Sequence, residues 1–549
     1  MPHEPASRFA EVLKPSLRET VFLLIVYAIG LYFRLWPRLE IDAHLLTFNG
    51  DIWYRITMAQ YILDHWALPD PDIRYLAYGY VPMWYPPVSP VLFAVTSYIS
   101  GLDIPTVSSR VVPFFEALSP VSIYFLSRYM YNRRVAFVST AALALTPSFV
   151  YWTGISDPQS FTIFMIPLLI LAWIWHSKQG ASNLRLLALS LLLAVNFLMH
   201  LSYFIEILVL FMVTIALVIR KDASKKLFLD LGKVIVISQL ITMPWWLSKN
   251  LSWWWINALV TSSGLYPVEH QLYSYGIVAA IFGILSYLYI AKGGKKHLVV
   301  VLWALPILLE TQNEAIIAAT GSIELTWHTL AKPLEGFRFY AFAAQPLAIA
   351  IGIFISEGVE KFTSRARMKD AKKMQIILLL IFFLAMAAGM KEYDFTTKFQ
   401  NSGLTVEEYD AALWFRENSL PGDRIIADYY RSQMFAGVSG GKALLGGMFP
   451  LRNVDYPYIK APGRVQNDLF ILYNTSDARE AHEIAKKYNS THIFYSGNMI
   501  SYGNLLSYYK PARKYGVDID KRKFENETYF REVYRKGSRY GEVVIVKVV

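Results

Sequence analysis

The stretch NGDIWYRITMAQYIL (49–63) follows the first long apolar run of the chain, TVFLLIVYAIGLYFRLW (20–36). It places a carboxylate, Asp51, just beyond a segment long enough to cross a bilayer, and continues with Trp53, Tyr54, Met58, Tyr61 and Ile62 in an amphipathic pattern. Aromatic rings favour the boundary between lipid and water. A carboxylate held there can bind a divalent cation and face a lipid-borne phosphate. A solitary Asp after a span is also a common loop acid or helix cap, so the reading depends on whether similar acids recur on the same side.

Working outward, the whole chain has a membrane composition. It is 54% hydrophobic and 17% charged, with a mean hydropathy of +0.32, and apolar runs of spanning length recur along it. The absence of cysteine excludes disulfides and thiolate metal sites. The formal charge of +11 does not point to nucleic acid, because the basic residues lie scattered in short loops between apolar runs. The first run is preceded by Arg8, Lys14 and Arg18 and has no small-residue cleavage site, so it reads as an uncleaved anchor. Ten further runs follow, near 111–127, 135–152, 159–175, 186–199, 201–219, 230–247, 272–291, 297–309, 338–356 and 374–390. Basic clusters at Arg128/Arg133/Arg134, Lys178/Arg185, Arg220–Lys226, Lys292–Lys296 and Arg365–Lys373 fall in alternate loops. That alternation assigns these loops and the N-terminus to the cytoplasm, and the other loops and the C-terminal region to the outside.

With this topology the outer loops collect the acids. Asp51 lies in the first, which also carries the stiff segment WYPPVSP (84–90). The second, WTGISDPQS (152–160), carries Asp157 and Gln159. Later outer loops end in LYPVEHQ (265–271), with Glu269 and His270, and in PLEGFRF (333–339), with Arg338. Carboxylate and amide oxygens suit a hard cation such as Mn²⁺ or Mg²⁺, and an arginine fork suits phosphate oxygens. Each residue also has a plainer use: Asp157 before Pro158 as a helix cap, Glu269 as a solvated acid, Arg338 as a snorkelling side chain. Glu116 lies inside an apolar run, where an acid is a functional candidate, but the sequence gives it no partner. His200 and His328 have no ligand spacing.

Together these segments resemble the catalytic subunit of oligosaccharyltransferase, in its single-subunit archaeal and bacterial forms, within the GT-C class of membrane glycosyltransferases. NGDIWYR is similar to the first-loop acidic motif, YPPVSP to the proline-rich segment after it, and GISDPQ to the Gly-x-x-Asp-x-acid motif. YPVEHQ resembles the motif that carries a Glu before a span, EGFRFYAF the basic, aromatic start of a late span, and EEYDAALWFRENSLPGDRII (407–426) the opening of the globular domain.

The resemblance implies an α-helical polytopic membrane domain of GT-C type over residues 1–392, with about 11–13 spans, and an extracytoplasmic α/β domain over 393–549. It implies an inverting, metal-dependent transfer of a glycan from a polyprenyl (dolichyl) phosphate-linked donor to an acceptor asparagine of a polypeptide. Asp51, Asp157 and Glu269 become the catalytic acids, Asp51, Asp157 and Gln159 the ligands of Mn²⁺ or Mg²⁺, and Arg338 with His270 the donor-phosphate contacts. No covalent intermediate is required, in keeping with the lack of an obvious Ser/His or Cys nucleophile.

Two departures stand out. Gln159 occupies a position usually held by Asp, Glu or His, and DYYRS (428–432) stands where the family has Trp-Trp-Asp-Tyr-Gly. Acceptor recognition would then fall to Asp428, Tyr429 and Tyr430. The alternatives are a GT-C enzyme moving a single sugar from a polyprenyl monophosphate to a lipid or glycan, and a lipid or glycolipid transporter. Transporters gather polar groups near the bilayer midplane, whereas these acids lie at one outer edge. In the C-terminal region EEYDAALWFREN reads as a helix, and RIIADYY, THIFYSG and GEVVIVKVV read as strands. That region also carries Asn-x-Ser/Thr triplets at Asn474, Asn489 and Asn526.

Overall fold

The computed structural model describes residues 5–40, 50–69, 83, 85–179, 182–200, 203–247, 275–312, 339–358, 360–361, 371–392, 404–440, 442–444, 462–497, 499, 520–538 and 541–549. The chain divides into two compact units, one of residues 1–36 with 112–395, the other of residues 37–111 with 396–549.

The first unit is helical. Among the described residues Leu17–Leu39, Pro158–Gln179, Leu227–Leu247 and Tyr340–Gly358 are long and apolar enough to cross a membrane, and Asn183–Met199, Tyr203–Ile219, Ile277–Lys292 and Leu379–Met390 are shorter apolar helices. This is a multi-pass membrane fold. The expected run 135–152 is broken into Arg133–Ala144 and Pro147–Trp152, because Pro147 disfavours helical backbone at the residue before it and itself suits the first turn of a new helix.

The Tyr340–Ile353 helix is the centre of this unit, with all of its residues buried. A helix apolar all round belongs in such a position. It packs against Arg133–Ala144, Ile277–Lys292 and Leu298–Glu310. At Gly352 a Cβ would lie 2.8 Å from the Val135 carbonyl oxygen. Only hydrogen fits there, the small-residue contact by which helices approach closely in lipid.

The second unit joins a small sheet to helices from both ends of the sequence. Its strands β1 (Ile425–Ile426), β2 (His492–Ser496), β3 (Phe530–Ser538) and β4 (Gly541–Val548) lie in the order β1-β2-β4-β3. The β1/β2 pair is parallel, and β4 runs antiparallel to both β2 and β3. THIFYSG and GEVVIVKVV form strands as expected, but RIIADYY is a strand only at Ile425–Ile426. Asp428 ends it: its carboxylate accepts from the Arg431 N–H at 2.8 Å and opens the Tyr429–Ser439 helix. The helix expected over EEYDAALWFREN is present as Val406–Asn418 and starts in a capping box of Thr405 and Glu408.

The Gly50–His65 helix packs on Tyr429–Ser439, although nearly four hundred residues separate them in sequence. Trp53, 1% exposed, lies against Gly437, where an added Cβ would come within 3.0 Å of the indole. Tyr409 approaches the same indole at 6.1 Å between ring centroids. Beneath these helices Arg431 is fully enclosed and bonds Glu408 at 2.7 Å and Asp428 at 2.6 Å, while Ser496 of β2 donates to Glu408.

Removing Arg431 strands two buried carboxylates, a loss of about 3–5 kcal/mol. Arg431→Met should therefore lower the melting temperature of the full-length protein sharply, and an unshifted transition would show that the triad is not needed. A second group makes stability depend on pH. Burial lowers the Lys523 pKa from its ordinary 10.5 to about 8, with Asp520 opposing the shift, and its ammonium donates to the Tyr473 and Thr475 carbonyls. Between those two values the unfolded chain holds the proton that the folded chain has lost, so stability rises with pH. The stability of the native sequence relative to Lys523→Met should increase from pH 7.5 to 10 in chemical-denaturation curves; a flat or falling difference would contradict this.

A candidate active-site turn

The segment Thr153–Asp157 links the Pro147–Trp152 helix to the Pro158–Gln179 helix, entirely within the first unit. Asp157 starts the second helix. Its Oδ1 accepts from the Gln159 N–H at 3.0 Å and its carbonyl from the Ser160 N–H at 2.8 Å, with Pro158 at the first helical position. The plainer use of Asp157 as a cap is thus real, and it fixes where the carboxylate sits. Asp157 is 2% exposed and Gln159 is fully buried.

The structure supplies the partner that Glu116 lacked in sequence. Ser160 donates through its Oγ to Glu116 Oε1 at 2.8 Å and to the Asp157 carbonyl at 2.6 Å. Glu116, itself buried, is joined in this way to the GISDPQS segment. Ser160 thus links the Glu116 carboxylate to the backbone of Asp157, whose own carboxylate caps the same helix. Buried carboxyl groups in an apolar surrounding are costly unless they are bonded, and the Ser160 hydroxyl and the Gln159 N–H supply such bonds.

Arg34 holds the turn from the other side and was not singled out from the sequence. Its Nε donates to the Thr153 carbonyl at 3.0 Å, its Nη1 to the Gly30 carbonyl at 2.7 Å, and its Nη2 to the Thr153 hydroxyl. The signal was present: an arginine inside an apolar span is a functional candidate by itself. Gly154 is needed beneath it, because a Cβ there would lie 2.8 Å from the Val150 carbonyl oxygen and 3.3 Å from Arg34 Cγ. Ser156 adopts φ +55°, a conformation that costs a non-glycine residue about 1–2 kcal/mol and is kept where surrounding bonds dictate it.

Of the other expected residues, Asp51 lies in the first turn of the Gly50–His65 helix, but its side chain is not among those described. Glu269, His270 and Arg338 fall outside the described residues. Asp428 is 1% exposed and engaged with Arg431, while Tyr429 and Tyr430 open the following helix, their side chains not described. Among the described residues no three His, Cys, Asp or Glu side chains form a metal-binding group. The oxygen donors of the Asp157 turn nevertheless fit a hard divalent cation by their chemistry. The turn makes one test of its own architecture available. Gly154→Ala should destabilise the protein by about 1–3 kcal/mol through overpacking, and Arg34→Met should do so more strongly, both read as melting temperature in detergent; wild-type melting of both variants would show that the turn is not held in this way.

No family model matches the sequence, and no curated protein sequence matches it significantly. Solved structures do. The oligosaccharyltransferase of Archaeoglobus fulgidus in its apo form aligns at a TM-score of 0.63 with 13% identity, over 95% of this chain and 74% of that one. The same archaeal protein, AglB, in complex with an inhibitory peptide and a dolichol-phosphate, aligns at 0.61 with 14% identity, over 95% and 73%. ArnT from Cupriavidus metallidurans bound to undecaprenyl phosphate aligns at 0.56 with 12% identity, over 96% of this chain and 97% of that one. Both neighbours are GT-C enzymes, and this chain has the fold of the GT-C membrane glycosyltransferases.

Proposed function

We propose that this protein is a membrane glycosyltransferase that takes its glycan from a polyprenyl phosphate-linked donor and transfers it to an acceptor asparagine of a polypeptide, with inversion at the sugar carbon. The observation that carries this reading is the coincidence of a GT-C fold with a buried Asp157–Ser160–Glu116 cluster at the segment that matches the family's Asp motif. Neighbours of the same fold were solved with dolichol-phosphate and peptide, with undecaprenyl phosphate, and with Zn and sulfate, which supports a lipid phosphate donor and a divalent cation.

In this proposal Asp51, Asp157 and Gln159 hold Mn²⁺ or Mg²⁺, and Glu269 holds the acceptor amide. Arg338 and His270 take the donor phosphate. The cation would neutralise charge and fix its oxygen ligands. The chain's own contribution is orientation: Arg34 clamps the Thr153 end of the turn, the Asp157 cap sets the start of the following helix, and Ser160 ties Glu116 to it. Within the C-terminal region, Asp428 spends its carboxylate on Arg431 and the helix cap. Its part in acceptor binding would then be to hold the backbone at Tyr429 and Tyr430.

A second reading is favoured by DYYRS (428–432), which stands where the resemblance would place the acceptor-reading Trp-Trp-Asp-Tyr-Gly. It is a GT-C enzyme moving a single sugar from a polyprenyl monophosphate to a lipid or glycan, and a neighbour of the same fold was solved bound to undecaprenyl phosphate. The two are separated by supplying the purified protein with a lipid-linked oligosaccharide and an Asn-x-Thr peptide, or with a polyprenyl-phosphate monosaccharide and a lipid acceptor. Glycopeptide formation is expected, lost with a chelator and restored by Mn²⁺ or Mg²⁺, and reduced at least about 100-fold in Asp51→Ala, Asp157→Ala and Glu269→Ala. Product only on the lipid acceptor would establish the second reading, and full transfer by Asp157→Ala would remove the site assignment.

A further inference from the structure

The three Asn-x-Ser/Thr triplets of the C-terminal region are equivalent in sequence but not in structure. Modification needs the amide nitrogen exposed, and the requirement for Ser or Thr at the third place means that its hydroxyl must also be reachable. Asn474 is half-buried at the end of the Pro462–Asn474 helix, and its Nδ2 donates to the Phe470 carbonyl at 3.1 Å. In the Asn489 triplet Ser490 is buried. There the Thr491 hydroxyl accepts from the Arg424 N–H at 3.0 Å and donates to the Arg424 carbonyl at 3.2 Å, which locks it beside the β1/β2 pairing. A fourth triplet, at Asn250, lies outside the described residues.

Asn526 differs on every count. Asn526, Glu527 and Thr528 are all exposed, in the turn between the Lys521–Glu525 helix and β3. Asn526 Oδ1 accepts from the Thr528 N–H at 3.1 Å, an Asx turn, and Nδ2 and the Thr528 hydroxyl make no hydrogen bond among the described residues. Beside it opens a cleft of about 430 Å³ lined by Asp477, Arg479, Asp520, Arg522, Asn526 and Tyr529. That volume lies within the range of small-ligand sites. Its planar carboxylates and guanidinium groups match the hydroxyls of a sugar, and Tyr529 adds an aromatic ring.

We propose that Asn526 is a glycan-attachment site of this protein and that the first sugars of the attached glycan lie in the adjoining cleft. This rests on the glycan-transfer activity proposed above. In the step, the Asn526 Nδ2–C1 bond forms as the bond from C1 to the lipid phosphate oxygen breaks; the bonding electrons leave with the phosphate and Nδ2 loses one proton to solvent. The chain is thereby its own substrate, through a triplet held ready by the fold.

The test incubates the full-length protein with the lipid-linked oligosaccharide and, in the same tube, a free peptide of residues 522–531, followed by glycopeptide mass spectrometry. Glycan on Asn526, with Asn474 and Asn489 bare, is the expected result. Thr528→Ala and Asn526→Asp, the latter keeping the Asx turn, should each abolish it. Modified free peptide with a bare Asn526 in the folded chain would overturn this inference and leave the transfer activity standing. No transfer to either would overturn the activity itself, and this inference with it. Hydrogen exchange at the Ala478–Glu480 amides should slow several-fold in the glycosylated protein relative to Thr528→Ala; equal exchange would overturn the placement of the sugars in the cleft.

Discussion

An apolar interior offers no water to a polar group, so every charge placed there must be met by the protein. Arg34 and the Asp157 turn meet this constraint jointly. The guanidinium gives three bonds to Gly30 and Thr153, Gly154 makes room for them, and Ser160 connects Glu116 to the helix that Asp157 begins. Each of these bonds satisfies a polar group that an apolar surrounding would otherwise leave unmet. The bonds that offset the burial of Asp157 and Glu116 also fix where their carboxylates sit.

Much of this was legible in the sequence, and the legible part shares a cause. Spanning helices are set by length and apolarity, both local properties, so the apolar runs from Asn183 to Lys292 reappear as helices with small shifts at their ends. The helix at EEYDAALWFREN and the strands His492–Ser496 and Gly541–Val548 are equally local. Strand β3 was not read from the sequence, because FREVYRKGS is mostly polar and its exposed pattern carries little hydrophobic alternation.

The site was legible only in part. Asp157 and Gln159 stand out through their motif, and Glu116 through its burial in an apolar run, but the Ser160 link between Glu116 and this turn spans 44 residues and leaves no trace in spacing. Arg34 was passed over as one charge in an apolar span. At Asp428 the same letters, acid followed by two aromatics, read as a strand continuing Ile425–Ile426; the side chain's bond to the Arg431 amide starts a helix instead. Local propensity lost there to a single cap and to a buried ion pair 23 residues away in Glu408.

The seat of Trp53 against Gly437 carries a consequence for biosynthesis. The Gly50–His65 helix leaves the ribosome early and packs in part on Val88–Ser100, yet the partner of Trp53 belongs to a segment translated after all the spans of the first unit. Until then the Trp53 side of the helix lacks the Gly437 face that covers it. Closure of the second unit is accordingly a late event in synthesis, and a chain truncated before Tyr429 would keep its spans but leave the indole of Trp53 uncovered on its Gly437 side.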